Sequence, residues 1–323
     1  MITGRLLRAS AVLLLAWLPA LAAAQAWPSK PVRLIVSYPP GGGADVVARL
    51  LGPKLSEALG QQFVIENRGG AAGVIGAEAV AKAPADGYTV LLDASAHGVN
   101  PSLQAKLPYD TMQDLAAVSL LVRVPNIVVV TPSLPVNSIK ELIALAKTKP
   151  GALSFGSSGT GSAQHLAAEL FKAQAGVFMV HIPYRGGGAA MIDVMSGQVP
   201  LMFANMASAL PHVKAGKLKP LATTGSTRPA AMPNLPTVAE AGLPGYEVYE
   251  WNGLFVPGGT PREIIERLQR ETVKALAQPD VRDKLGNLGA EVVGSTPAEL
   301  DRYRSNEIAK WAVIVRRAGI KAE

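Results

Sequence analysis

The chain has 323 residues, of which 49% are hydrophobic and 17% charged, so it is long enough for one large or two ordinary α/β domains. Its formal net charge of +7 comes from scattered lysines and arginines with few aromatic residues between them, which argues against a nucleic-acid-binding surface. The absence of cysteine excludes a disulfide framework and thiolate metal ligands.

The N-terminal segment has the pattern of an export signal. Arg5 and Arg8 precede an apolar run, 9–18, that is too short to span a bilayer. Small residues around Ala24 and Ala26 fit a cleavage site, so we expect residues 1–26 to be a signal peptide removed near one of them. No cysteine is present to carry a lipid anchor, and no other run is apolar for the roughly 18 residues of a membrane span. The sequence therefore predicts an unanchored protein of the periplasm.

The first predicted strand runs into a glycine loop. The apolar run Val32–Val36 is followed by Tyr-Pro-Pro and then by glycines at 41–43, and a helical pattern begins at Ala44. Glycines let the backbone approach a ligand, and the first N–H groups of a helix have no partner within the helix. Because a helix N-terminus also carries a partial positive charge, this loop predicts an anion site. We expect Gly42 to need either close approach or a positive φ.

Two further segments repeat this order of strand, loop and helix. Gly156–Ser162 precedes a helical pattern that starts at Ala163, and Arg185–Gly188 follows the strand Val180–Tyr184. Each loop alone could be an ordinary tight turn, but the three together favour one small anionic ligand. Arg185 is the best candidate for pairing with a carboxylate, because its guanidinium is a planar fork; the alternative is a surface arginine.

Alternating strands and helices predict a parallel sheet that is covered on both faces. In the first part of the chain the predicted elements are the strand Phe63–Ile65, the helix Val74–Ala83 and the strand Tyr88–Leu92. Ligands of such sheets bind at the carboxyl ends of the strands, where Ser95 and His97 follow. The segment 101–114 is expected to be irregular.

The second part of the chain predicts another α/β unit. Its elements are the strand Ile127–Val130, the helix Ser138–Thr148, the strand Gln198–Phe203, a short helix His212–Gly216, the strand Leu218–Thr223 and an extended connector 228–245. The strand Gly253–Val256 and the long helices Pro261–Ala277 and Pro297–Arg317 follow this unit and return to the first one. We therefore expect lobe 1 to comprise 27–128 and 250–323, and lobe 2 to comprise 129–249. Crossings near 126–130 and 249–254 would form a hinge, and the cleft between the lobes would close on a ligand.

The familiar motifs of catalysis are missing. The glycine loops lack the Gly-Lys-Ser/Thr of a phosphate-binding loop, no Gly-x-Ser-x-Gly occurs, and the 4 histidines lack metal-binding spacing. A hydrolase built from Ser158, His165 and Asp45 is the alternative, although no spacing supports it. Asp45 otherwise reads as a first-turn or loop-capping residue, and His165 as a packing or capping histidine. We expect no catalytic residue, no metal and no cofactor.

Taken together, these stretches resemble the substrate-binding proteins of tripartite tricarboxylate transporters, the Bug-type family. The matching segments are WPSKPV (27–32), YPPGGGADVVAR (38–49), VIENRGGAAGVIGA (64–77), PADGYTVLL (84–92), NPSLQAKLPYD (100–110), SSGTGSAQHLAAELF (157–171), IPYRGGGAAMIDVMSGQVPLMF (182–203), LPTVAEAGLPGYE (235–247) and GTPREIIERL (259–268). The resemblance implies a type II periplasmic binding-protein fold, with two α/β lobes, a ligand cleft and a hinge.

The resemblance also implies a ligand and partners. The ligand would be a small organic carboxylate (a mono-, di- or tricarboxylate, aromatic acid or amino acid) held largely by backbone N–H groups and waters. The protein would be a monomer that delivers this ligand to membrane transporter subunits or a sensor kinase. The family commonly has Asp at the position of Ala204, so a ligand amine or hydroxyl would lose one partner here.

Residues of the glycine loops and strand ends are the candidates for ligand binding. They are Tyr38, Pro39, Gly42, Gly43, Ala44, Asp45, Ser95, His97, Ser157, Ser158, Thr160, Gly161, Ser162, His165, Tyr184, Arg185, Gly186, Ala204 and Asn205.

Overall fold

The computed structural model describes residues 27–184 and 186–321. The first half contains strands β1 (Val32–Val36), β2 (Phe63–Asn67), β3 (Thr89–Ala94) and β4 (Leu115–Val130), and helices α1 (Gly43–Leu59), α2 (Val74–Ala81), α3 (Ala96–Leu103) and α4 (Ile139–Thr148). The second half contains strands β5 (Ser154–Ser157), β6 (Val180–Pro183), β7 (Leu201–Asn205), β8 (Lys219–Thr223), β9 (Tyr249–Pro257) and β10 (Glu291–Val292), and helices α5 (Ala163–Ala175), α6 (Gly187–Ser196), α7 (Met206–Lys214), α8 (Arg262–Ala277), α9 (Pro279–Asn287) and α10 (Pro297–Ala318). Within these described ranges, no helix has both the length and the hydropathy to cross a bilayer.

The strands form a mixed sheet in the order β2-β1-β3-β9-β4-β7-β5-β6. Strands β1, β2 and β3 are parallel, and so are β5, β6 and β7. Strand β9 is antiparallel to both β3 and β4, and β4 is antiparallel to β7. The parallel pairing predicted from alternating strands and helices is confirmed within β1–β3 and within β5–β7, whereas β4 and β9 at the centre are antiparallel to their neighbours.

Strand β4 belongs to both halves of the sheet. Its first part, Leu115–Pro125, pairs with β9, and its last part, Asn126–Val130, pairs with β7. The sequence predicted only Ile127–Val130 as a strand. The chain passes back from the second half to the first at Val248, just before β9 begins. The Val248 N–H donates to the Thr224 carbonyl.

Apolar side chains cover both faces of each half of the sheet. Around β1 and β3, Leu34 and Leu92 pack on one face, and Ile35 and Leu91 on the other. Around β5 and β7, Phe155 and Phe203 pack on one face, and Met202 and Ala204 on the other. Both faces of each half are therefore apolar, as expected for strands covered by helices.

The C-terminal helix α10 spans both halves. Leu300 lies in the core that contains Ile35, whereas Trp311 and Val315 lie in the core that contains Phe155. The end of α10, within the range 250–323 that the sequence predicts for the first lobe, thus also packs on the second half of the molecule.

Three helices differ from the sequence prediction. Helix α3 extends into the segment expected to be irregular, and α9 was not predicted. Helix α7 begins at Met206 instead of His212, because Asn205 caps it: the Asn205 Oδ1 accepts a bond from the Ala207 N–H at 3.0 Å.

Candidate ligand-binding site

A cavity of about 630 Å³ lies between loops of the two halves. The first half contributes Tyr38–Ala44 and Ala94–Ala96, and the second contributes Gly161–Gln164. Val124 of β4 and Glu250–Asn252 of β9 also line it. The cavity is thus adjacent to the two strands that connect the halves.

Several helices begin at this cavity. The residues of their first turns that line it are Gly43 and Ala44 of α1, Ala96 of α3, Ala163 and Gln164 of α5, Gly187 and Gly188 of α6, and Ala207 and Ser208 of α7. The first N–H groups of a helix lack intrahelical partners, and its N-terminus carries a partial positive charge. Because these ends converge on one cavity, the main chain provides an anion-binding surface.

The other walls of the cavity are largely apolar. Val46 and Val47 of α1, Trp251 of β9, and Leu285 and Leu288 in and after α9 line it. Hydrocarbon walls bind the apolar body of a ligand and exclude water from its charged end. The cavity therefore suits an anion with a carbon skeleton better than a bare inorganic ion.

Asp45 shapes the first loop from outside the cavity. Its Oδ2 accepts bonds from the Gly41 N–H and the Arg49 Nε, both at 2.9 Å, and its Oδ1 accepts a bond from the Asn67 Nδ2 at 2.9 Å. The Arg49 bond is the main cause that lowers the pKa of Asp45 to about 2. The capping interpretation of Asp45 is therefore confirmed, and its carboxylate does not line the cavity.

The backbone of this loop also corrects one expectation. Gly41 has a φ of 83°, in the left-handed region, whereas Gly42 has an extended backbone with a φ of −78°. The residue that requires glycine for its conformation is therefore Gly41, not Gly42.

His165 has the corresponding capping role in the second loop. Its Nδ1 accepts a bond from the Gly161 N–H at 3.1 Å, and its ring stacks on His181 with centroids 3.7 Å apart. Ser162 caps α5 by accepting a bond from the His165 N–H at 3.3 Å. The His165 side chain therefore holds the loop and does not line the cavity.

A chain of polar side chains crosses the cavity wall. The Ser158 hydroxyl donates to the Gln164 Oε1, and the Gln164 Nε2 donates to the Glu250 Oε1 at 2.8 Å. The Asn205 Nδ2 donates to the Glu250 Oε2 at 2.9 Å. Burial raises the pKa of Glu250 to about 6, although the Asn205 bond acts in the opposite direction.

Glu250 and Gln164 were not among the predicted site residues. One signal was present for Glu250: it is the only carboxylic acid between Val248 and Trp251, in a segment otherwise typical of a buried strand. The sequence predicts a helix from Ala163, so it also places Gln164 in the first turn of that helix.

Among the described lining residues, only Tyr38 and Glu250 have acidic or basic side chains. Burial, and next the charge of Asp93, raise the pKa of Tyr38 well above its ordinary value, so its hydroxyl is neutral at physiological pH. Among the described residues, the positive potential that attracts an anion therefore comes from main-chain N–H groups at the helix starts.

A sequence model of the tripartite tricarboxylate transporter family receptors matches residues 47–320. The chain belongs to this family. It is 39% identical to the protein BugT of Bordetella pertussis over 300 residues, which covers 92% of each chain.

Solved structures of other receptors have the same fold. The R. palustris protein Rpa4515, solved with adipate, is 40% identical with a TM-score of 0.80, over 91% of this chain and 99% of that one. MatC from Rhodopseudomonas palustris, solved with bound malate, is 33% identical with a TM-score of 0.77, over 90% of this chain and 100% of that one. The periplasmic binding protein BugD is 33% identical with a TM-score of 0.78, over 92% of this chain and 100% of that one. The receptor thus has the two-lobed α/β fold of the periplasmic binding proteins.

The structure of this receptor brings part of the predicted site together. The predicted residues that line the cavity are Tyr38, Pro39, Gly42, Gly43, Ala44, Ser95, Ser158, Gly161, Ser162 and Asn205. Arg185 and the predicted signal peptide, 1–26, lie outside the described residues.

The other predicted residues do not line the cavity. They are Asp45, His97, Ser157, Thr160, His165, Tyr184, Gly186 and Ala204. Most of these support the loops: Tyr184 donates its hydroxyl to the Asp193 Oδ2 at 2.6 Å, and Gly186 caps α6 with a φ of 111°. The Ser157 Oγ lies 2.6 Å from the His181 Nε2. Ser157, Tyr184 and Gly186 therefore hold the loops and the helix start beside the cavity.

His97 and Ala204 face the interior of the receptor. The His97 Nδ1 lies 3.0 Å from the Asp93 Oδ2, and its ring stacks on Phe255. Ala204 is fully buried in an apolar core, because strand residues alternate between faces and Asn205 is the one that reaches the cavity. An Asp at position 204 would therefore not face a ligand in this backbone. The expectation that Ala204 costs a ligand amine or hydroxyl one of its partners is corrected by this position.

The alternative hydrolase triad is not assembled. The hydroxyl of Ser158 donates to Gln164, the Nδ1 of His165 accepts from the Gly161 N–H, and Asp45 is bonded to Arg49 and Asn67. Within the described residues, none of these three side chains is bonded to another, so His165 is not positioned as a base for Ser158. Across the described residues, no cluster of three or more His, Asp or Glu side chains could hold a metal ion.

Proposed function

We propose that this chain is an exported periplasmic receptor that captures a small organic carboxylate between two lobes and passes it to a tripartite tricarboxylate-type transporter or a sensor. The observation that carries the proposal is the convergence of helix N-termini on one cavity with apolar walls. Adipate and malate, the acids present with two relatives, fit this chemistry.

The proposed lobes are 27–128 with 250–323, and 129–249. The change of β4 partners at Asn126 and the start of β9 at Tyr249 support a hinge at these crossings. The ligand would contact the cavity-lining loops, with Gln164, Gly187, Gly188 and Glu250 added to the predicted set.

The proposal includes the absence of catalysis. A receptor needs no nucleophile, and the separate bonding of Ser158 and His165 supports that reading. The protein would reach the periplasm through residues 1–26 and act as a monomer.

A thermal-shift panel tests the proposed function. A ligand that binds only the folded state stabilises it by about 2.7 kcal/mol at a hundredfold excess over Kd, which corresponds to a rise in Tm of several degrees. We expect such a rise with at least one mono-, di- or tricarboxylate, and none with neutral sugars or inorganic cations. A rise with sugars alone would contradict the proposal.

A further inference from the structure

Two histidine rings stack behind the second glycine loop, Gly156–Ser162. The rings of His165 and His181 are nearly parallel, with their centroids 3.7 Å and their planes 7° apart. Both rings are connected to the loop: the His165 Nδ1 accepts a bond from the Gly161 N–H at 3.1 Å, and the His181 Nε2 lies 2.6 Å from the Ser157 Oγ. The pair therefore holds the loop at two points, and other residues of the same loop line the cavity.

The surroundings of His165 specify one neutral tautomer. Its Nε2 lies 3.6 Å from the Glu169 Oε1. Burial raises the pKa of Glu169, but the interactions with His165 and Lys172 outweigh burial and lower this pKa below its ordinary value, so the carboxylate is ionised at neutral pH. A carboxylate accepts a hydrogen bond and a backbone N–H donates one. The proton of His165 therefore lies on Nε2, and the lone pair of Nδ1 receives the Gly161 N–H.

On helix α5, the negative charge near His165 is already shared. The Lys172 Nζ donates to the same Glu169 Oε1 at 2.6 Å. Arg317 of α10 lines a groove together with Glu169 and Lys172. A protonated His165 would therefore add a third positive group to this corner of the structure.

On the other side of the ring, His181 cannot share the charge. Burial, followed by the charge of a protonated His165, lowers the pKa of His181 to about 4, so the two rings are not charged together. The carboxylate of Glu250, on β9, reaches the start of α5 through Gln164, whose Nε2 donates to it at 2.8 Å. Because the His165 Nε2 already carries a proton, a second proton on this ring must be added at Nδ1.

Protonation of His165 would break its bond to the loop. A proton on Nδ1 converts this acceptor into a donor, which then faces the Gly161 N–H. Two donors cannot bond each other, so the ring or the peptide must move, and Gly161, with a φ of 77°, lies in the cavity wall. Resting on the proposed function, we infer that His165 is a positioning residue that keeps the second glycine loop in its ligand-binding conformation only while its Nδ1 is unprotonated, so that acid releases a bound carboxylate.

A bound carboxylate also attracts positive charge, which acts against this effect. His165 does not line the cavity, so the loop separates its ring from a ligand. The two N–H groups, in contrast, would meet within a single hydrogen-bond length, and a buried donor that loses its acceptor is costly. We therefore expect the loss of the Gly161 bond to dominate, and tighter binding in acid would contradict the inference.

A matched pair of substitutions separates the acceptor from the ring. The Oδ1 of asparagine occupies the place of the histidine Nδ1, and a methyl group of leucine occupies it without accepting a bond. His165→Asn therefore keeps an acceptor for Gly161 that cannot be protonated, and His165→Leu removes it. Titration calorimetry uses adipate and malate as probes, and any other acid of the thermal-shift panel that binds replaces them. At pH 8 we expect His165→Asn to bind within about threefold of the wild type, and His165→Leu about tenfold more weakly.

The pH profile tests the protonation itself. Histidines ordinarily change charge between pH 5 and 8, so calorimetry is performed at both limits. From pH 8 to pH 5, the affinity of the wild type should fall at least about fivefold more than that of His165→Asn. The ligand and Glu250 titrate in both proteins, so their effects cancel in this comparison. His212→Asn, which removes a histidine near the end of α7 that does not line the cavity, should behave as the wild type.

NMR gives a readout in the wild type alone. At pH 8, the imidazole nitrogen shifts of His165 should show a proton on Nε2 and none on Nδ1. As the pH falls, the amide shift of Gly161 should move together with protonation of Nδ1, because this amide loses its acceptor.

The outcomes separate this inference from the proposed function. An equal loss of affinity in acid for the wild type and His165→Asn, or binding of His165→Asn as weak as that of His165→Leu at pH 8, would overturn the inference and leave the proposed function intact. Failure of every carboxylate to bind would overturn both. Circular dichroism checks that the variants fold. If one does not, the wild type decides: a proton on Nδ1 at pH 8, or binding no weaker at pH 5 than at pH 8, refutes the inference.

Discussion

Adjacent glycines in the first loop have different constraints. Gly41 adopts a φ of 83° with open space around its Cα, and Gly42 adopts an extended backbone whose added Cβ would lie 3.6 Å from the Pro39 carbonyl oxygen. That distance is an ordinary van der Waals contact. Substitution of the two residues therefore separates backbone strain from contact with a ligand.

We expect Gly41→Ala to lower the free energy of unfolding by about 1 kcal/mol, because a left-handed φ is unfavourable for a residue with a Cβ. Gly42→Ala should leave stability unchanged but weaken carboxylate binding, since its methyl group would lie at the cavity wall. Urea unfolding and calorimetry measure the two effects. Equal destabilisation by both substitutions, or wild-type affinity of Gly42→Ala, would contradict this assignment.

For individual residues, the sequence identified the loops that line the cavity but not which of their side chains face it. The glycines and the helix starts are local signals, so residues such as Gly43, Ser158 and Ser162 were found. The direction of a side chain depends on the backbone around it, and His97 and His165 consequently turn away from the cavity. Glu250 reaches the cavity only because β9 returns beside β4, which is a non-local pairing.

Asn205 links the start of helix α7 to the cavity. Its Oδ1 caps the helix through the Ala207 N–H, and its Nδ2 donates to Glu250. Ser138 caps α4 in a comparable way, by accepting a bond from the Glu141 N–H at 3.2 Å, and does not line the cavity. The two caps are therefore a matched pair for comparing stability with binding.

We predict that Asn205→Ala and Ser138→Ala each lower the free energy of unfolding by about 1 kcal/mol through loss of a cap. Only Asn205→Ala should also change ligand affinity. Asn205→Ser should recover most of the stability, because serine is a good cap, without restoring the bond to Glu250. Chemical denaturation and calorimetry would disprove this account if Ser138→Ala altered affinity or Asn205→Ala did not.

Helices and strands were predicted where their signals are local. The unit from β1 to β3 was found because strands, glycine loops and apolar periodicity alternate there. The start of α7 was misplaced, because its cap, Asn205, is also the last residue of β7 and no loop separates the strand from the helix. The first part of β4 was not predicted as a strand. Its partner, β9, is distant in the sequence, so neither segment alone indicates the pairing.

Strands β4 and β9 are the connections along which the two lobes would move. The partners of β4 change between Pro125 and Asn126, and β9 starts directly after the chain returns at Val248. Helix α10 adds a third connection, since Leu300 and Trp311 belong to cores of different halves. Movement of the lobes must therefore bend or shift the C-terminal part of α10.

We predict that a saturating carboxylate reduces the radius of gyration in small-angle X-ray scattering, because closure around the ligand makes the molecule more compact. The tryptophan emission should change as well, since Trp251 lines the cavity, and Trp251→Phe should remove most of that change. A neutral sugar serves as the control for both measurements. An unchanged radius at saturation would count against closure.

The main-chain origin of the anion surface has a consequence for how such receptors diverge. Every amino acid except proline carries a backbone N–H, so substitutions in the loops at the starts of α1, α5 and α6 preserve the donors that face the cavity. A duplicated gene can therefore accumulate changes at wall positions such as Val46 and Leu288 while its product still holds an acid at every step. Inherited changes in the cavity walls can therefore make new nutrients accessible, and no intermediate receptor loses the ability to bind an anion.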